Sequence, residues 1–174
     1  MIIGEKNLKK LFPNFEGDID GNGIDLRVGK IYENIESNKV IGCIDDEKYL
    51  PKLKEVGLEI IGMPLIQNTE LSEYYRLKPL TYYTIEIDRE IYIPHTYTQM
   101  YEIRSTFARC GLILSKGVGD DGFNGTLRFG LFNATRNYIY IGKNERIVQA
   151  ITFKNDGTTS YYDGSYQDNE IYEK

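Results

Sequence analysis

The alternation of apolar and polar positions along this chain predicts a mainly β protein with little helix. Tyr74 to Pro94, YYRLKPLTYYTIEIDREIYIP, sets β-branched and aromatic residues against polar ones as half-buried strands do. Pro79 and Pro94 mark its turns. TLRFGLFN (126–133) alternates in the same way and reads as a strand leaving a tight turn. NYIYIGKNERIVQAITF reads as two strands around a turn from Gly142 to Glu145. A helical period appears near the start, where Leu8, Leu11 and Phe12 share one face of a short amphipathic helix that Pro13 ends. A second short helix is predicted in RSTFARCG, with Ser105 as N-cap and Gly111 just past its end.

Two stretches need weighing. Asp18, Asp20, Asn22 and Gly23 fall at the first, third, fifth and sixth places of an EF-hand loop, but Gly29 holds the twelfth place and no second helix follows. A turn centred on Asn22 and Gly23 that feeds a strand is the expected reading. The segment 45–58 is either a charged helix interrupted at Pro51 or an excursion from the β core.

Length and composition narrow the classes. The 174 residues suit one domain (1–174) with a sizeable core. A net charge of −5 argues against non-specific nucleic-acid binding, which depends on clustered cations. Fifteen tyrosines are scattered through strand-like segments, as packing residues rather than a stacking platform. Cys43 and Cys110 stand far apart, so reduced thiols in a cytoplasmic protein are expected. The apolar runs are too short for a membrane span or signal peptide, so no membrane partner is expected. One histidine and two isolated cysteines cannot supply the H-x-E…P-C-x-x-C set of zinc deaminases. That histidine, His95, follows Pro94 and is expected as a surface turn residue.

Candidate chemistry concentrates between Arg104 and Asn133. Arg104 and Arg109 bracket the short helix, where guanidinium groups and free N–H groups suit phosphate oxygens. GVGDDGFNG brings four glycines, two carboxylates and one aromatic together. Glycine lets backbone approach a flat ligand, and a carboxylate there could activate water. The alternative for each is plain: a framed helix and a solvated DDG turn that bind nothing.

These motifs carry a resemblance. RSTFARCGL is similar to RSSLAR-x-GL of dCTP deaminases and RSGLA of trimeric dUTPases. GVGDDGFNG with GLFN resembles the dUTPase pattern GVID-x-x-Y-x-G…LFN, ERIVQA resembles RIAQL, and GIDLRVG resembles SYDLRLG and GYDL. The chain is thereby identified as a member of the dUTPase/dCTP deaminase superfamily. The resemblance implies a distorted jelly-roll-like β-barrel with a short internal helix, a homotrimer, and sites shared between subunits. It places Asp120 as the water-activating carboxylate and Phe123 where a tyrosine packs on deoxyribose. Backbone around Gly117, Leu127 and Arg128 would read the base. Arg104, Ser105, Arg109 and Gln149 would hold phosphates. Asp25 would assist Mg²⁺ through water, with a structural turn carboxylate as its alternative role. The tail from about 155 resembles the deaminase ending Y-x-G-KYQ, with Ser165 at the lysine position, and Tyr162 could cover the site.

Three activities follow from that family. Zinc-free deaminases carry a glutamate on the strand after DPG-W-x-G, where this chain has Gly130. The expected activity is therefore hydrolysis of dUTP to dUMP and pyrophosphate. A dCTP deaminase, alone or bifunctional, and a non-enzymatic nucleotide-binding regulator are the alternatives. Gly119, in place of the usual isoleucine before Asp120, loosens a normally apolar support. Asp121 is expected outside the site, so Asp121→Asn should behave nearly as wild type.

Overall fold

The computed structural model describes residues 1–35, 41–44, 47–61, 72–157, 159–164, 166 and 167. Its centre is an antiparallel sheet whose strands run, edge to edge, Leu112–Leu114, Arg128–Asn133, Tyr82–Ile87, Gly23–Ile35, Arg146–Lys154, Tyr97–Ile103 and Val118–Gly119. The two outermost strands are nearly consecutive in sequence, separated only by 115–117. In a flat sheet, six interstrand steps of about 4.8 Å would part them by about 29 Å. The four Cα steps from Leu114 to Val118 span about 14 Å at most. The sheet therefore has to curl, and it forms a half-barrel. Register shifts between Val28 and Lys30 and between Arg146 and Val148 are bulges that help bend it.

The alternating residues fill the concave side. In Arg128–Asn133, Phe129, Leu131 and Asn133 are buried and the intervening residues are not. Ile24, Leu26, Ile31, Ile85 and Val148 are fully enclosed, and helix Glu5–Leu11 adds Leu8. The helix ends at Leu11 with Phe12 as its C-cap, and Pro13 follows closely, as expected, beginning a 3-10 turn. No helix among the described residues is long and apolar enough to cross a membrane.

Several local expectations change. Of the two alternatives for 45–58 the helix is not formed among the described residues: Glu47–Tyr49, Lys52–Glu55 and Leu58–Ile61 are short strands, of which Lys52–Glu55 joins the main sheet and Leu58–Ile61 pairs with Ser72–Leu77. Asp45 and Asp46 lie outside the described residues. Asp20 pairs with Gly23, so the turn is centred on Gly21 and Asn22, one residue earlier than read. Asp18 is buried in ion pairs with Arg27 and Arg89, which occupies the carboxylate that a calcium loop would use first. The two strands expected around 142–145 are present, and they pair in different sheets: Ile139–Gly142 joins Ser72–Leu77, while Arg146–Lys154 enters the main sheet.

The apolar support before Asp120 is present after all. A Cβ on Gly119 would lie 2.2 Å from the Tyr101 hydroxyl and 2.5 Å from Ile93 Cδ1. Tyr101, from the neighbouring strand, fills the volume that an isoleucine side chain at 119 would take. Its buried hydroxyl donates to Gln99 Oε1 (3.0 Å), and Gln99 Nε2 donates to Thr152 (3.1 Å). Gly119→Ala should therefore destabilise by about 1–3 kcal/mol through overpacking. Tyr101→Phe removes the clashing oxygen but leaves Gln99 short of a donor. In denaturant melts the double variant should lose less than the sum of the singles, by ~0.5 kcal/mol or more.

Candidate active site

The glycine-rich turn is built where the half-barrel closes. Val118 and Gly119 pair with Met100 and Gln99, and Asn124–Gly125 pairs with Ile91–Tyr92. Between them, Phe123 N–H donates to Asp120 O (3.1 Å), closing a four-residue turn. Gly122 stands at its third position with φ +79°, a conformation that glycine adopts without strain. Asp120 is exposed, while Asp121, Gly122 and Phe123 are buried.

A cavity of about 380 Å³ opens beside this turn. Gly119, Asp120, Phe123, Leu127, Arg128 and Tyr162 line it, with Val118, Thr126 and Tyr166 completing the wall. Tyr162 meets Phe123 edge to face, with ring centroids 5.7 Å apart. The tail thus supplies one wall of the cavity. Arg128 is held by Glu86 directly across the sheet (Nε to Oε2, 2.8 Å), and the Leu127 carbonyl accepts from Ile87 N–H (3.1 Å). Five of the residues singled out from sequence therefore meet here: Asp120, Phe123, Leu127, Arg128 and Tyr162. Gly117 is exposed just before the turn and is not among the lining residues. Ser165 lies outside the described residues.

The other predicted residues form a second group farther along Tyr97–Ile103. Asp25, Gln149 and Glu102 lie side by side on adjacent strands. Asp25 is buried, and its Oδ2 forms ion pairs with Arg104 (3.1 Å) and Arg146 (3.3 Å), accepting a hydrogen bond from Arg146. Its Oδ1 has no hydrogen-bond partner. The Gln149 side chain lies against Gly23, where a Cβ would come within 2.7 Å of it. Ser105 and Arg109 sit on the exposed helix Ser105–Arg109. Arg104, not Ser105, is the N-cap; it has extended backbone and no side-chain capping bond, so Ser105 is the first helical residue. Gly111 lies just past the helix end with φ +89°, as expected. Four residues of extended strand, about 13 Å, separate Met100 beside the first group from Arg104 in the second. Among the described residues no three His, Cys, Asp or Glu side chains come together as a metal-binding set.

Asp121 is not among the residues lining the pocket, but it is not a free turn carboxylate. It is 3% exposed and accepts from His95 Nδ1 (2.7 Å), Thr96 N–H (2.9 Å) and the Thr159 hydroxyl. Its backbone carbonyl accepts from Tyr162 N–H (2.8 Å). Burial pushes its pKa up, but the bonds from Thr159, His95 and Thr96 outweigh burial and leave it below the usual carboxylate value. An ionised carboxylate only accepts, so His95 Nδ1 carries a proton in this pair. His95 is a half-exposed turn residue, as expected, but it is also this partner. Gln167 was not singled out either; it accepts from Asn124 N–H (3.1 Å) and donates to Gly122 O (3.3 Å). The only sequence cue was the doubled aspartate, which does not reveal partners 25 to 38 residues away.

The architecture is a curled antiparallel half-barrel with a pocket beside the glycine-rich turn at its seam. The chain belongs to the dCTP deaminase-like family, whose profile matches residues 3–155. It is 42% identical over 168 residues to a probable deoxyuridine 5'-triphosphate nucleotidohydrolase of Methanothermobacter thermautotrophicus, covering 97% of this chain and 100% of that protein. It is 31% identical over 168 residues to a deoxyuridine 5'-triphosphate nucleotidohydrolase of Methanocaldococcus jannaschii, covering 96% and 99%. A dCTP deaminase of Pyrobaculum calidifontis is 26% identical over 178 residues, covering 96% and 92%. In fold, the chain resembles the crystal structure of 2'-deoxycytidine 5'-triphosphate deaminase from Agrobacterium tumefaciens, with a TM-score of 0.60 and 13% identity. That likeness covers 87% of this chain and 46% of the other, so the chain spans less than half of that structure's length.

The Asp121 bonds have a pH signature. A carboxylate whose folded pKa is lowered stabilises the fold above its unfolded value, about 3.9, and loses that contribution as pH falls through the folded value. Near neutrality Asp121→Asn should melt about 3–6 °C below wild type, the scale of one or two lost hydrogen bonds. Melting curves recorded at falling pH should show that gap close below about pH 4.

Proposed function

We propose that the chain is a dUTP diphosphatase, hydrolysing dUTP to dUMP and pyrophosphate by metal-assisted attack of water. The observation that carries this reading is Asp120, an exposed carboxylate on the lip of a pocket walled by Phe123 and Tyr162. The nucleotidohydrolase names of the more similar relatives support it.

In this reading the Phe123 ring packs on the deoxyribose, and backbone at Gly117, Leu127 and Arg128 reads the base. A wrong base leaves such buried groups unpaired, which discriminates strongly. Asp120 takes a proton from water as the water oxygen attacks the α-phosphorus. The bond from that phosphorus to the bridging oxygen breaks and pyrophosphate leaves. Arg104, Ser105, Arg109 and Gln149 hold the phosphates. Mg²⁺ carried by the phosphates would supply charge neutralisation to an acidic chain. Asp25 Oδ1, a buried acceptor without a donor, fits a metal-bound water. Free thiols at Cys43 and Cys110 suit the cytoplasmic setting in which we place the enzyme.

Position 130 argues against deamination. Gly130 offers no acid or base, and a Cβ there would lie 1.8 Å from the Tyr82 hydroxyl. Tyr82 occupies the space into which a longer side chain at 130 would project.

Two experiments test the proposal. Assay of dUTP and dCTP separately, with analysis of nucleotides and pyrophosphate, should yield pyrophosphate and dUMP from dUTP alone. Conversion of dCTP to a uracil nucleotide would instead establish a deaminase, and binding without turnover a regulator. In the same assay Asp120→Asn should lower turnover about 10²–10⁴-fold, the usual contribution of a positioned base. Its affinity for dUTP should stay within a few-fold of wild type.

The second experiment concerns assembly. The pocket lining includes none of Asp25, Arg104, Ser105, Arg109 and Gln149. A homotrimer that brings this group from one copy to the pocket of the next would complete the site. Light scattering should give three times the 20.1 kDa chain mass. Co-refolding Asp120→Asn with Arg104→Ala, each inactive alone, should restore turnover, because some mixed sites draw intact residues from different copies. A monomer, or a mixture that stays inactive, would overturn the shared site.

A further inference from the structure

We propose that His95 and Asp121 are positioning residues: together they clasp the C-terminal segment so that Tyr162 becomes a wall of the Asp120 pocket. Neither side chain is among those lining the pocket. The inference deepens the hydrolase reading and rests on it for the part that concerns dUTP.

Four contacts converge on residues 155–162. Asn155 is anchored first, its N–H donating to Thr96 O (2.8 Å) and its side chain accepting from the Thr98 hydroxyl (2.7 Å). Thr159 then donates to the Asp121 carboxylate, whose other oxygen accepts from His95. Tyr161 stacks face to face on the His95 ring, with centroids 4.4 Å apart and planes 10° from parallel. Its other neighbour is Gly122, where a Cβ would lie 2.2 Å from the Tyr161 ring. Finally, Tyr162 N–H donates to Asp121 O (2.8 Å), which aims the Tyr162 ring at Phe123.

The chemistry is one of division of labour between adjacent carboxylates. Asp120 is exposed toward the pocket, while Asp121 faces the opposite way and has its oxygens occupied by three donors. The peptide that joins them transmits the seating of the tail to the turn that carries Asp120. Tyr161 is 59% exposed, so the stack holds the tail without belonging to the core. Loss of the clasp should therefore loosen the tail while the barrel stays folded.

The test compares full-length wild type with His95→Ala, Tyr161→Ala and Asp121→Asn. Hydrogen exchange of the Tyr162 amide, followed without nucleotide, should quicken about tenfold in each variant, the scale of one or two lost hydrogen bonds. With dUTP, KM should rise by about the same factor while kcat changes less, as expected for lost binding rather than lost chemistry. Tyr161→Phe keeps the stack and should behave as wild type in both measurements. Asp121→Asn also weakens the fold, so the surface variant Tyr161→Ala is the deciding one. Unchanged exchange in Tyr161→Ala and His95→Ala overturns the clasp. Faster exchange with unaltered KM overturns its role in positioning. Because the exchange measurement needs no nucleotide, a wild-type protein that seats its tail yet hydrolyses no dUTP overturns the hydrolase reading and leaves the clasp standing.

Discussion

Everything else in the structure depends on a short piece of chain. Residues 115–117 tie together the two outer strands of a seven-strand path, and no flat sheet can satisfy so short a connection. Curling follows from chain geometry, not from preference. Its concave side then encloses the alternating Ile, Leu and Val residues, whose burial stabilises the curl that the tether requires. The same seam fixes the functional turn. Val118 and Gly119 are the last strand of the path, so Asp120 leaves the sheet at the point of closure. Rigid strands on both sides hold the turn in place, while its apex remains open to a ligand.

Around that turn the chain repeats one packing device. Gly119, Gly122 and Gly130 each lack a side chain where a tyrosine from elsewhere has moved in: Tyr101, Tyr161 and Tyr82 respectively. The three tyrosines differ in how firmly they are held. Tyr101 is buried and hydrogen-bonded to Gln99, and its hydroxyl pKa is raised by burial and by the charge of Asp120. Tyr161 lies on the surface and is held by its stack on His95. Tyr82 is 43% exposed. One of these pairs therefore belongs to the fold, one to the tail, and one to the rim of the sheet.

What could be read from sequence follows the range of the interactions. Alternation in Arg128–Asn133 and the Leu8–Phe12 helix face was legible because burial imposes a local period on neighbouring residues. Pocket residues 120, 123, 127 and 128 came from the family resemblance, and they meet because they lie on one turn and the strand that leaves it. Ser105 was misplaced as a cap because the chain turns one residue earlier, at Arg104. The strands within 47–61 carry few buried side chains, so their pattern was weak, and their pairing with Gly23–Ile35 and Ser72–Leu77 decides their form. The bonds of Asp121 were not legible for a different reason. Its partners His95 and Thr159 come from distant segments, and the dipeptide Asp120–Asp121 gives no local sign that its two carboxylates face opposite ways.

The graded tyrosines also bear on how this scaffold can change. At Gly119 any new side chain meets a buried, bonded ring, so that position is closed to drift unless position 101 changes with it. At Gly130 the obstructing atom is the outer end of a half-exposed phenol, which can swing into solvent. A side chain can therefore be gained at 130 in a single mutational step without disturbing the core. The barrel that holds the turn would be inherited unchanged whether or not such a side chain were gained.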